Sequence, residues 1–146
     1  MSFLDSDDIW LNNKIKKLLP LFEKQDLDIA YGAYVLDIKP GVEFTHKLAE
    51  DEIGNNHLLL SATLVRKKVF EKGYYLDEEF RLAHDLEWYK RIKADGLIIE
   101  RINEVVLVYI IHGNNLVIVC AEAAEKERLK ALYKKIKYMN KKRISS

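Results

Sequence analysis

Three carboxylates fall within four positions at Asp5, Asp7 and Asp8, where the short apolar run Phe3-Leu4 stops and before Ile9-Trp10 resumes it. Acidic groups that close repel one another unless water or a cation offsets their charge, so this segment cannot be packed as ordinary core. It must end an element and face solvent or a positive partner. The residues alone leave two readings open. One is a polar turn in which Ser6 or Asp8 caps the following helix. The other is a hard-cation site: Mg²⁺ and Mn²⁺ take oxygen ligands, keep several waters, and are often held by one or two carboxylates together with substrate phosphates. Asp5 and Asp7 can serve such an ion directly or through water.

Helix and strand signals alternate along the rest of the chain, without internal repeats or low-complexity linkers, which predicts an α/β fold with α+β as the variant. A length of 146 residues suits one domain, residues 1–146, with a single core. Asn12 is placed to cap a helix through about Gln25, with Ile15, Leu18, Leu19 and Phe22 on one face and Pro20 kinking or ending it. Asp28 to Ile38 reads as a strand, and Lys39 to Asn56 as a loop. A strand from Leu58 to Val65 leads to a short helix closed by Gly73 as an αL cap. Asp85 sits where an N-cap belongs and Gly96 where a helix stops. Two strands, 97–102 and 105–112, join at Asn103-Glu104, and a long amphipathic helix runs from about Ala121 to Lys142.

Lysine and arginine number 24 against 23 acidic residues, a net charge of +1, so the chain as a whole lacks the basic excess of a nucleic-acid binder. Cys120 is the sole cysteine, which excludes an intrachain disulfide and a multi-cysteine zinc site. The longest apolar run, Val105 to Ile111, is far too short to span a bilayer, and a charged-apolar-small leader is missing from the start. The expected location is the cytoplasm, with peripheral contact at the inner face of a membrane left open.

Written out, Phe3-Leu4-Asp5-Ser6-Asp7-Asp8-Ile9-Trp10 resembles the metal-binding segment of inverting, family-two glycosyltransferases with the GT-A fold, in which a sheet strand ends in Asp-x-Asp. Ser61-Ala62-Thr63-Leu64-Val65-Arg66-Lys67, Phe70 to Glu78, and His84-Asp85-Leu86-Glu87-Trp88-Tyr89-Lys90-Arg91 resemble that family's acceptor-side segment. Glu104 to Asn115 is similar to the strand that returns a histidine toward the metal. The three matches stand in the family's order and cover residues 1–116, leaving 117–146 as a basic C-terminal helix. The resemblance implies a partial GT-A-like mixed sheet with flanking helices. It also implies an upstream nucleotide-binding half of on the order of 80–100 residues. Met1 stands four residues before Asp5. The expectation is therefore a natural fragment, one product of a split gene, or a truncated form.

Residue by residue, the resemblance implies that Asp5, Asp7 and His112 hold Mn²⁺ or Mg²⁺, that Asp8 lies on the substrate side, and that Asp85 is the general base that deprotonates the acceptor hydroxyl. Two departures stand out. His84 precedes Asp85 where the family usually has a second acid. Tyr109-Ile110-Ile111-His112 replaces the common Tyr-Arg-x-His, and losing that arginine predicts weaker diphosphate binding. His112 alone reads equally as a strand-end histidine bonded to a loop. Trp10 and Trp88 can stack on sugar rings or simply pack. Arg91 is spaced to pair with Glu87 on the surface. In the C-terminal helix, Leu129, Leu132, Ile136 and Met139 form an apolar stripe expected to pack on the domain, the alternative being rest on anionic lipid.

The expected activity is metal-assisted, inverting transfer of a sugar from a nucleotide-diphosphate sugar to a saccharide or lipid-linked acceptor, with no nucleic-acid partner. The alternative is a catalytically silent remnant acting in binding or assembly, as a homodimer that covers an unpaired sheet edge or beside a complementing N-terminal half.

Overall fold

Successive side chains of a strand point to opposite faces, and from Ile29 to Tyr31 both faces are buried. Such a strand belongs in the middle of a layered fold. The computed structural model describes residues 1–24, 26–43 and 58–145. Strands β1 (Ile9–Trp10), β2 (Ile29–Ile38), β3 (Thr63–Val65) and β4 (Ile99–Ile111) form one mixed sheet in the order β1-β4-β2-β3. The β2–β4 pair is parallel; β1–β4 and β2–β3 are antiparallel. Among the described residues six helices accompany it: α1 (Lys14–Leu18), α2 (Leu21–Lys24), α3 (Lys67–Glu71), α4 (His84–Ala94), α5 (Leu116–Val119) and α6 (Ala121–Ser145). The chain is thus of mixed α/β class, as its pattern predicts.

Ile29 and Tyr31 pack with Val65, Val69, Trp88 and Ile92 under α3 and α4, while Ala30 packs with Leu18 and Leu27 under α1 and α2. The predicted helix 12–25 is two short helices, because Pro20 supplies no N–H and interrupts the ladder. Only Leu18 of its expected stripe is fully buried; Ile15 and Leu19 are exposed. The strand expected at 58–65 is instead a 3₁₀ turn, Leu60–Ala62, leading into the short β3. Gly73 and Gly96 adopt positive φ, +87° and +83°, as the helix stops require. Of the predicted loop, residues 44–56 lie outside the described residues.

The two strands expected either side of Asn103-Glu104 are one strand. Against β2 its register slips twice, between Tyr31 and Ala33 and between Ala33 and Tyr34, so residues bulge out of β4 while the ladder continues beyond. Gly32 makes this bulge possible: a Cβ there would lie 2.6 Å from both Val106 methyls and 2.9 Å from Glu104 O.

At the chain start, Met1 and Ser2 run along the outer edge of β3, with Val65 N–H donating to Met1 O at 2.8 Å and Ser2 Oγ donating to Thr63 O. The chain then crosses to β1 on the opposite edge, and the acidic turn lies in that crossing.

Helix α4 begins one residue before Asp85, and Asp85 does not cap it. The amides of Leu82 and Ala83 donate instead to Glu127 Oε2 on α6, at 2.8 and 3.0 Å. Glu87 and Arg91 form a bidentate pair at 2.9 and 3.0 Å rather than a loose surface pair, with the Glu87 carboxylate buried. The α6 stripe also faces the unexpected way. Ala124 and Ala131 are buried against the domain, whereas Leu129, Leu132 and Ile136 are exposed.

Replacing Gly32 by alanine forces the added methyl into Val106 and the Glu104 carbonyl. Gly32→Ala is expected to lower the unfolding free energy by about 1–3 kcal/mol in urea titrations, whereas Gly41→Ala, whose Cβ would meet nothing within 4 Å, carries only the smaller penalty of its positive φ.

Candidate functional site

Antiparallel pairing of Ile9 with Val108 and Trp10 with Leu107 brings the residues just before β1 alongside the end of β4. Ile110 N–H donates to Asp8 Oδ1 at 3.3 Å, and one step further His112 Nε2 lies 3.1 Å from Asp7 Oδ2. The backbone N–H of Asn114 donates to His112 Nδ1 at 3.2 Å. An amide can only donate, so Nδ1 carries the lone pair and the neutral ring bears its proton on Nε2, pointed at Asp7. His112 therefore orients Asp7, and ligation of a metal by Nε2 would require that proton to leave.

Asn115, 5 % exposed, completes this corner. Its Nδ2 donates to Asp7 Oδ2 at 3.1 Å and to Ile110 O at 3.0 Å, while its Oδ1 accepts from His112 N–H. Although Asn115 stands at the N-terminus of α5, its side chain caps nothing there. It was not among the expected site residues; its one local signal is its place three positions after His112.

The other wall is the Leu60–Ala62 turn. Ser61 Oγ accepts from Asp5 N–H at 3.0 Å, and Leu60 N–H donates to Asp85 Oδ2 at 2.9 Å. One small turn thus holds both the acidic segment and the start of α4. Burial is the main reason the Asp5 carboxyl titrates above its usual range, and the negative charge of Asp85 adds to it. Asp8 is pushed up to about 6, by burial first and then by Asp5 and Asp7. Tyr109 is raised to about 12 by burial and by the charges of Asp8, Asp7, Asp5 and Asp85 together. Four carboxylates and one phenol therefore share a single electrostatic neighbourhood, with His112 fastened to its edge through Asp7.

His84 sits on the Asp85 side. Its Nε2 is 2.6 Å from Asp85 Oδ1, and its Nδ1 faces the Arg81 carbonyl at 3.3 Å. Both nitrogens face acceptors, which favours the imidazolium. The bond to Asp85 raises the His84 pKa to about 9 against the opposing effect of burial. Beyond this ion pair, Asp85 Oδ1 is buried without an aligned hydrogen bond, as is Asp8 Oδ2.

Trp88 serves packing. Trp88 is 0 % exposed, stacks on Phe70 at 6.0 Å, and donates to Tyr74 O at 2.9 Å. It presents no face to a sugar. Trp10 donates to Ser61 O at 2.9 Å, and Lys14 Nζ lies 4.0 Å from its ring centroid. Lys14, also unforeseen, is buried, donates to Ser61 O at 2.6 Å, and has its pKa lowered to about 8 by desolvation.

An oxygen-rich donor set with an unsatisfied buried carboxylate oxygen suits a hard cation chemically. Among the described residues, no three His, Cys, Asp or Glu side chains converge closely enough to ligate one as they stand. Asp5 and Asp7 are the carboxylates that would hold such an ion, with water completing its shell. No protein-family model matches the chain, and no curated protein matches its sequence.

Asp8 and His84 both make stability fall as pH rises, but in separate pH windows. The folded pKa of Asp8 lies above its unfolded value of 3.8, so stability present below that value is lost as pH rises through about 6. Asp8→Asn keeps the acceptor for Ile110 and is expected to gain about 2–3 kcal/mol at mildly alkaline pH, with no gain in strong acid, by urea unfolding. The His84 contribution, present below 6.5, fades as pH passes about 9; His84→Gln should flatten the melting temperature over that upper window alone.

Proposed function

We propose that the chain is the metal- and acceptor-side half of a GT-A-type inverting glycosyltransferase, using a nucleotide-diphosphate sugar and a saccharide or lipid-linked acceptor. The observation that carries the reading is the Leu60–Ala62 turn, which holds Asp5 through Ser61 and Asp85 through Leu60, with His112 held on Asp7. The fold brings Asp85 to the acidic turn from about 80 positions along the chain, and like charges gathered in that way suit a positive ligand.

In this reading Asp5 and Asp7 hold Mn²⁺ or Mg²⁺. When bound, the cation neutralises the diphosphate as it departs. His112 and Asn115 keep the Asp7 carboxylate aimed by hydrogen bonds to Oδ2. Asp85, fixed by the Leu60 amide, accepts the proton of the acceptor hydroxyl as that oxygen attacks the anomeric carbon from the face opposite the leaving group. His84 orients the Asp85 carboxylate through the contact of its Nε2 with Oδ1 at 2.6 Å. The same ion pair favours a second reading. With Oδ2 bonded to Leu60 and Oδ1 against an imidazolium, Asp85 is also placed to serve as a structural tie, which suits a silent remnant working in assembly.

Titration of the purified chain with Mn²⁺ and uridine diphosphate, followed by calorimetry, separates the two. Saturable, metal-dependent binding is expected, lost in Asp7→Ala, weakened roughly 10- to 100-fold in Asn115→Ala, and kept in Asp85→Asn. No binding at millimolar nucleotide with millimolar Mn²⁺ would remove the support for the enzyme reading.

A further inference from the structure

The longest helix leaves its most apolar side uncovered. Leu129, Leu132, Tyr133 and Ile136 follow the i, i+3, i+4, i+7 spacing of one helix face, and they are 57 %, 41 %, 70 % and 58 % exposed. The opposite side of α6 does the packing. Ala124 and Ala131 are buried, Glu127 caps α4, and Lys134 bonds Asp77. The outward stripe is therefore not an unfinished core contact, because the helix is already docked by another face.

Charge identifies what suits the exposed side. Of the 24 basic residues, eight fall between Arg128 and Arg143, and none of the 23 acidic residues does. Lys130 and Lys137 are exposed and follow one flank of the stripe by helical phase, with Lys126, paired to Glu122 at 2.7 Å, one turn before them and Lys130 also 3.4 Å from Glu79. Two copies facing each other would set these like charges together, as would a basic partner. An anionic lipid surface instead accepts the lysines at its headgroups and the leucines, isoleucine and tyrosine at the acyl boundary. Among the described residues no helix is long and apolar enough to cross a membrane, so α6 is suited to lie on a bilayer.

We propose that α6 is a membrane-surface helix that binds anionic phospholipid through Leu129, Leu132, Tyr133 and Ile136 with the flanking lysines. This stands independently of sugar transfer.

The test is flotation of the full chain with vesicles of phosphatidylcholine alone and of an equimolar mixture with phosphatidylglycerol. The chain should float with the mixed vesicles, remain unbound with pure phosphatidylcholine, and be released by high salt. Ile136→Glu and the pair Lys126→Glu with Lys137→Glu should each reduce binding roughly tenfold or more, with the wild-type melting temperature kept because these side chains are exposed. Equal binding to both vesicle types, no binding to either, or no loss in the variants overturns the proposal. So does a sedimentation result in which the chain is a dimer that Ile136→Glu splits without any flotation of the wild type.

Discussion

Strand β4 lies between β1 and β2, and its two unlike pairings organise the molecule. Parallel pairing with β2 makes the two strands end at the same side of the sheet, where Ile38 is level with Ile111. Antiparallel pairing with β1 turns the acidic segment back onto that same end. A one-residue change in either register would move every side chain of the pair to the other face. The bulge at Gly32 absorbs the extra residues in β4, so that Ile29–Tyr31 and Tyr34–Ile38 can both pair. The meeting of Asp7 and His112 follows from the β1–β4 register.

Crowded carboxylates are expensive wherever water is scarce, and the fold distributes the penalty unevenly. Asp7 receives hydrogen bonds from His112 and Asn115. Asp85 receives one from Leu60 and an ion pair from His84. Asp8, buried with one oxygen unmatched, holds its proton up to about pH 6.

The C-terminal helix reverses the ordinary amphipathic arrangement. Alanines let it approach α4, and with that close approach Glu127 reaches the free amides of Leu82 and Ala83. The larger apolar side chains are left outside. A helix whose small residues dock and whose large ones face out has two contact surfaces, one within the domain and one beyond it.

The amino-acid order was enough to announce the mixed α/β class, a strand within Asp28 to Ile38, the break at Pro20 and the helix ends at Gly73 and Gly96. These depend on strand period, a missing N–H and positive φ, all properties of a few neighbouring residues. The acidic turn was also legible as the end of an apolar run, but that Asp8 would be buried there was not. Other features waited for the folded chain. Asn115 meets Asp7 across 108 positions, and Glu127 rather than Asp85 caps α4 from a distant helix. Trp88 proved to be core, and α6 turned its alanines inward. Periodicity says that a helix has two faces but not which of them finds a neighbour, because that choice belongs to the packing of whole elements against one another.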